Sequence, residues 1–298
     1  MRHHITSQTY DELYAGLLRG KGWFQSVGLP ISGNRFGTIL ANVDLIRQHH
    51  GKPSLNDVLQ DHPMHELWIS LLDAGSFTII AEQLQNLRSD ELPRGRMKEA
   101  MSGPLMPHDE EQDGASIQAR DALFELELGS RLQARGVSIR GFDDIKFGFD
   151  GGEINVQCKR LHSPKTLQQN LDKACSQIAK RIVGTKTRGL VAIGMDKILE
   201  TDRNIWTVPN EDSLLKETKD LMRSFLHENG PRFRRIVDIR VLGILADLRF
   251  MALVKDHNDL LTRGYETALY PLASAETLQF ADSDFLRRLG KKIADSAE

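Results

Sequence analysis

Apolar residues recur at helical spacing through the first hundred positions and at a spacing of two further on, and this change of period predicts the architecture. Leu13, Leu17 and Leu18 mark a helix over residues 10–19, and Ser54 can cap another over 55–59. A longer one follows Pro63, carried by Leu67, Leu71, Ile79, Ile80, Leu84 and Leu87, with a break expected at Gly75–Thr78, a poor helix interior. The stretch MSGPLMPHDEEQDG at 101–114 holds two prolines, two glycines and an acidic run, so it reads as a surface connection. The chain then divides into a helical accessory domain at 1–112 and a second domain at 113–298.

Beyond that boundary, residues from Ser116 or Ile117 to Ala134 form an amphipathic helix with Leu123, Leu126 and Leu132, stopped by Gly136. Strand patterns follow. Residues 137–140 are a short candidate, Ile145, Phe147 and Phe149 alternate after Asp144, and Ile154, Val156 and Cys158 alternate up to Lys159. Asp150, Gly151 and Gly152 supply residues that tolerate positive φ, which predicts a hairpin. Pro164 opens a helix to about Val183, and GLVAIGM at 189–195 reads as a buried strand. A helix over 213–228, an apolar segment over 236–254 and a charged helix over 284–297 complete an α/β pattern.

The hairpin carries candidate chemistry. Its apolar residues face the core, so Asp144, Gln157 and Lys159 share the other face: a carboxylate, an amide oxygen and an ammonium. Oxygen ligands of this kind suit Mg²⁺, which is commonly held by one or two carboxylates and completed by substrate phosphate. A neighbouring lysine can orient water or stabilise developing charge. Asp143 competes with Asp144, but Asp144 precedes Ile145 in strand phase, while Asp143 reads as a solvated strand end.

Charge distribution adds a partner. The formal net charge of −2 conceals a block from Lys159 to Arg188 with eight basic residues and a single acid, Asp172. Between Asp109 and Glu127 seven acids face one base, Arg120. Taken singly, such runs are solvated faces, and the basic one gains meaning only beside the hairpin.

These residues resemble the restriction-endonuclease-like PD-(D/E)xK nucleases, closest to the Mrr-like branch, whose third-strand motif often reads Gln-x-Lys. The likeness covers about residues 117–195: a helix with Phe124-Glu125 in ALFELELGSRLQARG, Asp144 opening a strand in DDIKFGF, VQCKRL with Gln157 and Lys159, and the helix and apolar strand after it. It implies a restriction-endonuclease-like mixed sheet flanked by helices, preceded by a mostly helical amino-terminal region. It implies Asp144 and Gln157 as metal ligands, the Cys158 backbone carbonyl as a third, Glu125 as a helix-borne acid ligand, and Lys159 as the catalytic lysine. Mg²⁺ is the implied cofactor, with Mn²⁺ as a substitute. The implied partner is DNA, flanked by Arg160, Lys165, Lys173, Lys180 and Arg181, with Gln177 near the site. Glutamine in place of the commoner glutamate removes one negative charge, so a degenerate site that binds DNA or a protein is the alternative, and an RNA substrate is a further one. Two-strand cleavage favours a homodimer, and the helical amino-terminal region is a surface for a protein partner.

The remaining features exclude other classes. Hydrophobic residues at 40% and charged residues at 27% rule out a disordered chain. The segment 241–254 is interrupted by Asp247 and Arg249 and too short to span a membrane, and the polar residues 1–10 predict no secretory signal. Two cysteines fit a reducing compartment, the cytoplasm. No Walker A frame or Gly-x-Ser-x-Gly elbow occurs. His49, His50, His62 and His65 lack metal-site spacing and read as surface residues, and Cys158 points to the core. Glu127, two positions from Glu125, is expected to be exposed, and Arg232, Arg234 and Arg235 form either an exposed turn or phosphate contacts.

Overall fold

The computed structural model describes residues 2–52, 62–106, 109, 117–142, 144–161, 163–182, 187–196, 206–236, 238, 240–257, 260–272 and 280–294. The elements in order are β1 (Arg2–Gln8), α1 (Tyr10–Ser26), α2 (Arg35–His49), α3 (Met64–Leu84), α4 (Arg94–Met101), α5 (Gln118–Ala134), β2 (Ile139–Gly141), β3 (Ile145–Phe149) and β4 (Gly152–Arg160). Next come α6 (Leu167–Arg181), β5 (Thr187–Gly194), β6 (Trp206–Val208), α7 (Glu211–Phe233), β7 (Val241–Val254), β8 (Leu261–Pro271) and α8 (Phe280–Ala294). The class is α/β. Strands run in the order β1-β8-β7-β5-β4-β3-β2, and β6 pairs with the far half of β7. Pairing is parallel in β4/β5, β5/β7 and β6/β7 and antiparallel elsewhere, so the sheet is mixed. Among the described residues, no helix is long and apolar enough to cross a membrane.

The hairpin forms as its sequence requires. Phe149 pairs with Gly152, leaving Asp150 and Gly151 as a two-residue loop with φ of 49° and 74°. Positive φ at both central positions matches the right-handed strand twist. Ile145, Phe147, Ile154 and Val156 are buried on one face, with Cys158 packed against them.

Period two also separates the two cores. Val191, Ile193, Ile244, Ala246 and Leu248 face α6 and α7, whereas Leu190, Ala192 and Leu245 face α5 and α8. α5 is buried on nearly every side. Phe124, Leu128 and Leu132 pack on the sheet, while Leu123 and Leu126 join the core of α1–α4. The amino-terminal region is mostly helical, as expected, with one strand, β1, which pairs with β8 along the sheet's edge.

Between the amino-terminal helices and the sheet lies a buried charged layer. Asp73 meets Arg35 at 2.8 Å, Arg120 at 3.3 Å and Arg249 at 3.3 Å. Arg249 also reaches Asp196 at 2.7 Å and Glu127 at 3.2 Å, and Arg131 pairs with Asp247 at 2.6 Å. Glu127 is thus buried rather than exposed as expected, and Ser76 donates to it at 2.8 Å. The break expected at Gly75–Thr78 does not occur, because these small and polar residues supply this layer. A Cβ at Gly75 would lie 1.4 Å from Arg263 Nη1. The expected helix over 55–59 with its Ser54 cap, and Asp143, lie outside the described residues.

Candidate functional site

At the end of β4, residues from four elements and the turn before β3 line a cavity of about 230 Å³: Arg96 from α4, Asp121, Phe124 and Glu125 from α5, Asp144 before β3, Gln157 to Arg160 from β4, and Gln177 and Arg181 from α6. Strand register explains half of it. Ile145 pairs with Val156, so Asp144 stands opposite Gln157, and Gln157 Nε2 donates to Asp144 Oδ1 at 2.6 Å.

Asp144 precedes the strand rather than belonging to it, with φ at 55°. A non-glycine residue in the left-handed region carries a conformational cost, and such residues concentrate at functional positions. Here that backbone turn points the Asp144 N–H at Glu125, whose Oε1 accepts it at 2.8 Å. Helix α5 and the hairpin are thereby locked together through the Glu125 carboxylate and the Asp144 backbone.

Both carboxylates face cations. Arg96 pairs with Glu125 Oε2, and Arg181 pairs with Asp144 Oδ2 while approaching Gln157 Oε1 at 3.4 Å. Burial pushes the Glu125 carboxyl up to about 7; Arg96 opposes this rise and the neighbouring Asp144 charge adds to it. Burial likewise raises Asp121, which has one buried oxygen, Oδ1, making no hydrogen bond among the described residues. The Cys158 thiol is held well above its ordinary value by burial and by the Glu125 and Asp144 charges, so it is no ready nucleophile.

Oxygen is the donor atom throughout: two carboxylates, the Gln157 amide and, one turn from Glu125, Asp121. This set fits a hard divalent cation in chemistry. Arg181 sits against the same oxygens of Asp144 and Gln157, so cation entry requires its side chain to turn away. That side chain is 39% exposed at the end of α6, which leaves it solvent into which to move. Among the described residues no group of three or more His, Cys, Asp or Glu side chains is placed to hold a metal ion.

The expected site residues are thus brought together in Glu125, Asp144, Gln157 and Lys159, with Gln177 on the rim. Lys159 makes no hydrogen bond or ion pair among the described residues. The expected DNA-contacting residues divide. Lys165, Lys173, Lys180 and Arg181 are exposed, and Lys173, Gln177, Lys180 and Arg181 recur at helical spacing along one stripe of α6 that runs into the cavity. Arg160 is buried, with Nε 4.0 Å from Asp196, and points into the protein rather than towards a backbone outside it. Arg232 is tied to the Pro164 carbonyl at 3.1 Å, away from this stripe.

Arg96 and Asp121 were not anticipated. Asp121 lies four residues before Glu125, a spacing that puts both on one helical face and could have revealed it. Arg96 comes from a separate helix, and no local pattern announces it. Compared with known protein families and with curated proteins, the sequence matches none.

Proposed function

We propose that this protein is a metal-dependent nuclease of the restriction-endonuclease-like fold, hydrolysing DNA phosphodiester bonds in restriction, defence against foreign DNA, or repair in the cytoplasm. The observation that carries this reading is the convergence of Glu125, Asp144, Gln157 and Lys159 on one cavity beside a basic helix face. Asp144, Gln157 and Glu125 would hold Mg²⁺, with the Cys158 carbonyl as the further ligand that the resemblance implies. When bound, Mg²⁺ polarises the phosphate and lowers the pKa of a coordinated water.

The chain's own residues supply the rest. The Lys159 ammonium lines the cavity near the Asp121 carboxylate and makes no hydrogen bond or ion pair among the described residues, so it can hold the attacking water or donate to a phosphate oxygen as charge develops. Lys165, Lys173 and Lys180 provide phosphate contacts without base reading, which predicts affinity that falls steeply with salt. Cleavage of both strands favours a homodimer, and the amino-terminal helices offer a surface for a protein partner.

The test uses the purified chain on plasmid, linear duplex, single-stranded DNA and RNA with Mg²⁺, Mn²⁺ or EDTA, beside Asp144→Asn. Expected is cleavage of DNA with either metal, none in EDTA, and a loss of about 100-fold or more in the variant, as for removal of a charge-stabilising group. RNA cleaved in preference to DNA would change the substrate and keep the chemistry. Absence of cleavage by the wild type on every substrate would overturn the nuclease reading.

One observation favours a second reading, a catalytically inactive protein that binds DNA or a protein partner: both carboxylates are already neutralised by Arg96 and Arg181. Arg181→Ala separates the two. For a cation site the substitution removes a competitor, and Mn²⁺ affinity measured by calorimetry without nucleic acid is expected to rise about tenfold, the worth of one charge-assisted hydrogen bond. Wild type and variant that both fail to bind Mn²⁺ would establish the inactive form.

A further inference from the structure

A second cavity, of about 600 Å³, opens between α1, α3 and α5 on one side and strands β1 and β8 on the other, and it shares no lining residue with the strand-end site. Its volume falls within the range of small-molecule sites, about 300–1,000 Å³. Arg131, Arg249 and Arg263 reach it from three elements. The first two have carboxylate partners, Asp247 for Arg131 and Asp196 with Glu127 for Arg249.

Arg263 has none. Its single hydrogen bond among the described residues is a 3.4 Å contact from Nη2 to Gln8 Oε1, and its Nε is buried without a partner. Burial lowers its pKa, and the nearby Glu127 and Glu82 charges only partly oppose this. The fold makes room for this guanidinium by placing Gly75 inside α3, where any Cβ would collide with Nη1. A glycine in a helix interior costs about 1 kcal/mol relative to alanine, and a half-buried guanidinium with an unsatisfied Nε adds to that cost. Departures of this kind from local stability concentrate at functional sites.

The other donors point the same way. Arg249 Nε and Arg131 Nη1 are buried and make no hydrogen bond among the described residues, while Arg131 Nε lies 3.7 Å from Glu127 Oε1. The Glu127 carboxylate is already taken by Ser76 and Arg249, and Glu12 and Glu82 are exposed at the mouth. Planar guanidinium forks match the oxygens of a phosphate. Leu13, Leu72, Ile79 and Phe250 give the cavity an apolar wall for an organic moiety.

We infer that this cavity is a binding site for a phosphorylated small molecule of nucleotide size, whose phosphate supplies the anion that Arg263 lacks. Calorimetry and thermal shift on the full chain with ATP, AMP and pyrophosphate, with citrate as a carboxylate control at matched ionic strength, test it. Saturable binding of a nucleotide with a rise in Tm is expected. Arg263→Met, which keeps length and removes charge, is expected to weaken binding at least about tenfold and to raise the Tm of the ligand-free protein. Arg19→Ala at the exposed rim serves as a variant that leaves the interior packing intact, with a loss of about threefold expected for one screened surface charge. Lys159→Ala is expected to bind as wild type does. The inference is overturned by no saturable binding, by citrate binding as tightly as the nucleotides, by affinity unchanged in Arg263→Met, or by binding lost in Lys159→Ala, which would put the ligand at the strand-end site.

Discussion

Asp73→Asn is expected to destabilise the protein by about 3–5 kcal/mol, the cost of removing one partner from a buried ion cluster. The carboxylate is fully buried and is the shared anion of Arg35, Arg120 and Arg249, which come from α2, α5 and β7. Its replacement leaves three guanidiniums facing a neutral amide at a fully buried position. A typical domain has only about 5–15 kcal/mol of stability, so urea unfolding should show a large shift in midpoint. Asp11→Asn is the control: its pairing with Arg47 leaves the aspartate 80% exposed, and its removal should cost under about 1 kcal/mol. Equal midpoints for the two variants would show that the cluster does not hold the amino-terminal helices to the sheet.

The same carboxylate sets an acid limit. Burial pushes the Asp73 carboxyl up, but the three arginines outweigh it and hold the group at about 2, below its ordinary 3.8. A depressed folded-state value means the unfolded chain binds protons first as pH falls. The stabilisation is therefore complete above about pH 4 and is lost progressively towards pH 2. Asp73→Asn removes this group, so its stability should vary less across that window than that of the wild type.

The strand-end site was legible where its residues are close in sequence. Gln157 and Lys159 lie on one strand of a hairpin whose turn is announced by Asp150-Gly151, and a period of two fixes their common face, while Asp144 enters that face from the turn just before β3. Glu125 was reachable only through resemblance, since nothing local distinguishes it from Glu127. What decides between the two is tertiary: Glu125 receives the Asp144 N–H, while Glu127 enters the layer of Ser76 and Arg249. Reading a charged residue on a helix as solvated assumes that the helix has a wet face, and α5, held between other helices and the sheet, has almost none.

The same assumption misjudged α3 and the sheet's edge. Asp73, Gly75 and Ser76 are poor helix formers locally, yet each has a specific counterpart, in Arg35, Arg263 and Glu127, that lies on another element. Strand β1 reads RHHITSQ, with no apolar alternation, and its partner β8 lies more than 250 positions away. Local patterns report how a segment meets an apolar core, and they are silent about segments that meet buried charge or pair only through their backbones.

Lys159→Ala is expected to reduce metal-dependent DNA cleavage by about 100- to 1,000-fold, the range for losing one preorganised donor at a developing charge. Three properties should stay unchanged. Stability should hold, because Lys159 makes no hydrogen bond or ion pair among the described residues. Affinity for DNA measured in EDTA should hold, because the exposed lysines that line the approach, Lys165, Lys173 and Lys180, lie on α6 and the turn before it. Calorimetric Mn²⁺ affinity should hold, because the candidate ligands are oxygens on neighbouring residues. Lys173→Ala should behave in the opposite way: DNA binding weakens uniformly across sequences and the slope of log affinity against log salt falls by about one. Its cleavage rate at saturating DNA should stay within about threefold of wild type, since a contact made equally in ground and transition states changes KM and leaves kcat alone. Loss of DNA affinity in Lys159→Ala equal to its loss of cleavage would assign the lysine to binding and leave the strand-end cavity without a catalytic group.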